Sequence, residues 1–181
     1  MTRWLRLADA IERFSERTGQ LVYGLTLVMV IVGAYNAIVR YLDRYTGLGL
    51  SSNTYIELQW YLFSLVFLLG AGYTLKHNAH VRVDVLYGRL SAQGQAWIDV
   101  LGTACFLLPF CVLILWTSWP TVSNSWAVLE MSPDPGGLPR YPIKTMIPLA
   151  ALLVLLQGLA LLVRQLRVLV PGPAPSTDEA T

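Results

Sequence analysis

An all-α integral membrane protein with four transmembrane helices is the fold this sequence predicts. Three observations carry it: four long apolar stretches, a scarcity of charge, and basic residues gathered into alternate connections. The stretches are 21–39, 56–75, 97–116 and 147–163. Each holds about 17 to 20 residues, which at about 1.5 Å per helical residue matches a hydrocarbon core of roughly 30 Å. Of the 181 residues, 55% are apolar and 13% charged, so almost no chain remains for a soluble domain. We read 1–170 as one four-helix membrane domain and 171–181, which lacks large apolar side chains, as a disordered cytoplasmic tail.

Orientation follows from where the 13 basic residues fall. The N-terminal arm holds Arg3, Arg6, Arg13 and Arg17, the middle connection Lys76, Arg82 and Arg89, and the tail Arg164 and Arg167. The other two connections hold only Arg40, Arg44, Arg140 and Lys144. Both termini are therefore expected in the cytoplasm. On this reading the net charge of +2 reflects topology and does not mark a nucleic-acid partner.

The arm repeats apolar residues at Trp4, Leu7, Ala8, Ile11 and Phe14, a helical spacing with Arg6, Asp9, Arg13 and Arg17 on other faces. It predicts an amphipathic helix lying in the inner headgroup region, with Thr2 as N-cap, or else a plain basic anchor leading into the first span. The first span is too long for a signal-peptide core and lacks a small-x-small cleavage site before Arg40, so it is read as a retained anchor. The second span opens on Thr54-Tyr55-Ile56-Glu57, the pattern of a capping box. Ser91 marks the entry to the third helix, and Asp99 falls in its first turns, where the macrodipole favours negative charge. Pro109 is the interior proline and predicts a kink there. Cys105 and Cys111, six residues apart on one helix, cannot pair in a disulfide. Lys144 stands at the start of the fourth helix against the macrodipole, so it needs an acidic neighbour or lipid phosphate, and Glu130 is the candidate.

Glu57 and Asp99 are the two carboxylates that fall within the predicted spans, near opposite membrane faces, so they cannot share a proton. Asn36, Ser64, Thr103 and Gln157 suit hydrogen bonds between helices. Gly24, Gly33, Gly70, Gly72, Gly102 and Gly158 permit close approach, either to helices of another chain or within this one. Trp60, Tyr61, Trp116, Trp119 and Trp126 mark the outer interface, and Tyr23, Tyr73 and Trp97 the inner one. His77 and His80 lie in a turn without further ligands, and no catalytic, cofactor or metal constellation is visible. Two other classes remain to be weighed: a stand-alone proton-coupled transporter using Glu57 or Asp99, and the membrane anchor of a respiratory enzyme, which would place paired histidines inside its helices.

The connections are more distinctive than anchorage requires. The segments ELQWYLFSLVFLLGAGYTL, HVRVDVLYGRLS, FLLPF followed by SWPTVSNSW, and SPDPGGLPRYPIK running into IPLAALLVLLQG cover most of 55–164. In order and spacing they resemble the small membrane subunit, the DctQ-like Q subunit, of tripartite ATP-independent periplasmic (TRAP) transporters. The resemblance implies an auxiliary scaffold subunit in a bacterial inner membrane, packed against a large membrane subunit (the M subunit) that carries solute with sodium. It also implies a periplasmic substrate-binding protein docking on the outer face, where Arg44, Glu130, Asp134 and Arg140 are available rim charges. Arg82 and Asp84 match the family's inner-loop motif and are expected to pin that loop. Trp60, Pro139 and Pro142 fall inside the matching segments and join Glu57, Asp99, Glu130, Lys144 and Gln157 as structural or interface candidates. Tyr61, Asn78 and Ala79 depart from the usual pattern.

Overall fold

The computed structural model describes residues 2–47, 49, 51–79 and 87–169. Four helical stretches among them are long and apolar enough to cross a membrane. They are α1 (Thr2–Thr46), α2 (Asn53–Lys76), a third formed by α3 (Ala92–Gly102), a π-turn (Thr103–Leu107) and α4 (Leu108–Ala127), and α5 (Tyr141–Leu169). The inner-loop motif with His80, Arg82 and Asp84, and the tail, lie outside the described residues.

The N-terminal arm is helical, as its periodicity predicts, but it is not a separate element. No proline interrupts 2–46, so the arm runs unbroken into the first span as one helix of 45 residues, with Thr2 inside it. Its buried positions are Ala8 and Ser15, whereas Trp4, Leu7 and Phe14 are exposed. Farther along, Gly19 lies so close to the Tyr73 ring of α2 that a Cβ would stand 2.2 Å from it, so only glycine fits.

The capping box at Thr54 does not form. Ser52 is the N-cap of α2, with extended backbone and its hydroxyl accepting from the Thr54 N–H at 3.2 Å. The helix thus begins earlier than the box requires, and the Glu57 carboxylate is drawn to partners outside α2. Ser91 does cap α3, accepting from the Gly94 N–H at 3.3 Å. Asp99 is then the eighth residue of α3, beyond the first turn where the macrodipole acts, so its stabilisation has another source.

Pro109 disturbs the third stretch through a widened turn. It brings no N–H to the ladder and crowds the carbonyl four residues back, and the Leu108 N–H reaches the Thr103 carbonyl five residues back. This extra residue keeps the buried stripe straight. Ala96, Thr103, Cys111, Val122 and Ser125 are all buried, yet Thr103 and Cys111 are eight residues apart, which in a plain α-helix would turn them about 80° from each other. Nor is Pro109 the sole interior proline, since Pro120 lies inside α4 and Pro148 inside α5. Helix α5 starts at Tyr141, ahead of its apolar stretch, which moves Pro148 inside and leaves Pro142 in the first turn.

Helix α5 is the centre of the bundle and packs against every other helix. Small residues make that possible: Ala150, Ala151, Gly158 and Ala160 are buried. Gly158 faces the π-turn, where a Cβ would stand 2.9 Å from Leu107, and Gly72 of α2 meets Leu153. Gly33 and Gly70 also pack within the chain, on Gln59 and Val22, whereas Gly24 and Gly102 face open space. Cys105 is exposed and Cys111 buried, and both are free thiols.

Candidate functional site

Polar side chains gather at three levels of the bundle. The first is the connection between α4 and α5, which folds back on itself: Met131 and Pro139 form an antiparallel bridge, the Ser132 N–H donates to the Leu138 carbonyl at 3.2 Å, and the Arg140 N–H to the Glu130 carbonyl at 2.7 Å. Gly136 turns the tip with φ of 71°, a conformation that favours glycine.

Helix α2 holds this loop by one face. The Glu57 side chain, in a residue only 2% exposed, accepts from the Ser132 hydroxyl and the Leu138 N–H. One turn on, the Tyr61 hydroxyl donates to the Pro139 carbonyl, and one turn back the Thr54 hydroxyl donates to the Gly136 carbonyl at 2.6 Å. The Arg140 guanidinium lies over the Trp60 ring, 5.8 Å from its centroid. Glu57, Trp60 and Pro139 thus meet in one clasp.

The structure brings Lys144 onto Glu130, which also accepts from the Ser125 hydroxyl at 2.7 Å. Trp126 donates to the Thr145 hydroxyl at 2.8 Å and packs on Tyr141. Donation from Lys144 and Ser125 holds the Glu130 carboxyl below the usual carboxylate range. A carboxyl lowered on folding stabilises the fold above its unfolded value of about 4.3 and loses that contribution as pH falls through the lowered folded value. Thermal unfolding of purified protein should therefore show Glu130→Gln less stable than wild type near about pH 7, with the gap closing toward about pH 3. Of the four charges read as available for docking, Glu130 and Arg140 are engaged within the loop, and Asp134 and Arg44 are exposed.

The middle level is a buried pair: the Ser15 hydroxyl donates to Gln157 Oε1 at 2.7 Å, joining α1 to α5. The third level ties the arm to the ends of α2 and α5. Glu16 pairs with Lys76 and lies 3.1 Å from His77 Nε2, and His77 packs on Tyr73, whose hydroxyl is 3.2 Å from that of Tyr23. Arg164 grips Glu12 in a two-pronged contact and reaches Asp9 at 3.0 Å. Asp99 accepts from the Tyr87 hydroxyl at 2.9 Å and the Gln165 amide at 3.0 Å, which links α3 to α5. Glu57 and Asp99 thus serve different contacts and do not meet.

Sequence reasoning missed Ser15 and Ser132, gave Tyr61 only an interfacial role, and did not join Asp9 with Glu12 and Glu16 as one acidic row. The row was legible in principle, since three acids at spacings of three and four share a helix face and need cations opposite. No group of three metal-ligating side chains forms among the described residues.

A multi-pass helical membrane protein results, with carboxylates that fasten its own helices and the α4–α5 loop. Residues 29–168 match the model of the family described as tripartite ATP-independent periplasmic transporters, DctQ component. That match spans most of the chain, and the chain belongs to this family. It is a component of a tripartite transporter and works with partner subunits. Searches among curated proteins and among solved structures returned no match.

Proposed function

We propose that the chain is the small auxiliary subunit that packs against the large transport subunit and broadens the immobile part of the machine. It supports sodium-coupled uptake of a solute delivered by a periplasmic binding protein, across a bacterial inner membrane with both termini in the cytoplasm. One observation carries the scaffold reading: Asp9, Glu12, Glu16, Glu57, Asp99 and Glu130 each accept a hydrogen bond or ion pair from this same chain. A carrier needs a polar group that exchanges its partner for cargo, and these groups are engaged in holding helices together. The four apolar spans offer surface for a neighbour, and Gly24 and Gly102 are open for close approach.

Uptake by proteoliposomes containing all components, compared with each omitted in turn, tests this. Omission of this chain should reduce uptake and weaken recovery of the large subunit, and the chain alone should give no flux. Sodium-driven accumulation by the chain alone would overturn the reading.

A further inference from the structure

Charge is sorted around the arm of α1. The acids Asp9, Glu12 and Glu16 turn to α2 and α5 and are paired there, Glu16 with Lys76 and both Asp9 and Glu12 with Arg164. Arg6, Arg13 and Arg17 lie on another face, at spacings of seven and four residues that keep them within about 20° of one line over roughly 16 Å. All three are exposed, and none has an ion-pair partner among the described residues. Beside this row runs a second, apolar and equally open, of Leu7, Phe14 and Leu21, exposed by 55%, 52% and 54%.

The Ser15–Gln157 bond fixes the height of the arm. Gln157 lies within the apolar stretch of α5, so the end of the arm at Ser15 runs beside a membrane-spanning segment. An apolar row edged by unpaired arginines, whose long side chains can extend along the helix toward the headgroup phosphates, has the surface of a helix end set into one leaflet. We infer that the Arg6–Arg13–Arg17 face of the arm binds acidic phospholipids, the phosphates on the guanidinium groups and the acyl chains along Leu7, Phe14 and Leu21. Charge complementarity selects this occupant. A protein neighbour covering the same face would need acids placed opposite all three arginines.

Native mass spectrometry of the full-length chain, with phosphatidylglycerol or phosphatidylcholine added at equal concentration, tests the inference. Wild type should retain phosphatidylglycerol preferentially, and the triple variant Arg6→Gln, Arg13→Gln, Arg17→Gln should lose affinity for it by on the order of a hundredfold. The corresponding triple lysine variant should keep most of it, and Arg40→Gln with Arg44→Gln at the other end of α1 should change nothing. Because the three arginines make no hydrogen bond or ion pair among the described residues, the variants should melt with wild type in neutral detergent. Equal retention of both lipids, or no loss in the glutamine variant, would overturn the inference. So would photocrosslinks from Phe14 in the assembled complex that go to protein and not to lipid. These readouts need no transport, so their failure is separable from failure of the scaffold reading.

Discussion

Replacing Glu57 with alanine is expected to free the α4–α5 loop while leaving the four spans helical. The carboxylate is the one group that satisfies both the Ser132 hydroxyl and the Leu138 N–H on opposite limbs of the loop, and it is enclosed. Its removal leaves the half-buried Leu138 N–H without its acceptor and unlinks the limbs together. Tyr61 and Thr54 still hold Pro139 and Gly136, so the loop should open transiently, not detach. Limited proteolysis within 132–138 should accelerate by on the order of tenfold, since cleavage follows the open population. Glu57→Gln, which keeps an acceptor oxygen, should fall between alanine and wild type, and Ser132→Ala, which removes one bond only, should be milder than Glu57→Ala. Circular dichroism should remain that of wild type. Unchanged cleavage in Glu57→Ala would mean that the hydroxyl contacts of α2 suffice and the carboxylate is dispensable.

The sequence-level reading and the structure part company for physical reasons that differ between elements. Span positions follow from apolar length, which the bilayer dictates and the sequence displays directly. Helix ends do not: α1 and α5 continue well past their apolar stretches because neighbouring helices supply partners for Asp9, Glu12, Arg164 and Gln165 there. The Lys144–Glu130 contact was legible because a cation at a helix N-terminus is unfavourable alone and the candidate acids nearby were few. The role of Glu57 was not, because the capping pattern offered a sufficient local explanation. The stronger one lies 75 and 81 residues away, at Ser132 and Leu138, in a loop whose path no local rule fixes.

Pro109 shows how far a single residue reaches, and it yields a result opposite to ordinary intuition about deletions in a membrane helix. The π-turn contributes one residue of slack between Thr103 and Cys111, so that Ala96 and Thr103 on one side and Cys111, Val122 and Ser125 on the other share a buried face. Deleting Phe106, which is 77% exposed, should restore a plain α-helix with that face intact, provided Pro109→Ala supplies the missing N–H and removes the ring from the tightened ladder. This shortened variant should unfold within about 1.5 kcal/mol of wild type, the scale of a tolerated repacking. Deleting Leu113, likewise exposed but beyond the π-turn, has no slack to consume. It rotates the C-terminal half of α4 by about 100° and carries Val122 and Ser125 out of the bundle, breaking the Ser125–Glu130 bond with them. Its cost should exceed about 4 kcal/mol, and the protein should fail to purify as a single species. Thermal unfolding and size-exclusion chromatography in one detergent distinguish the two deletions. Equal damage from both would show that Gly158, packed against Leu107 and Leu108, requires the wide turn itself and not merely the register it restores.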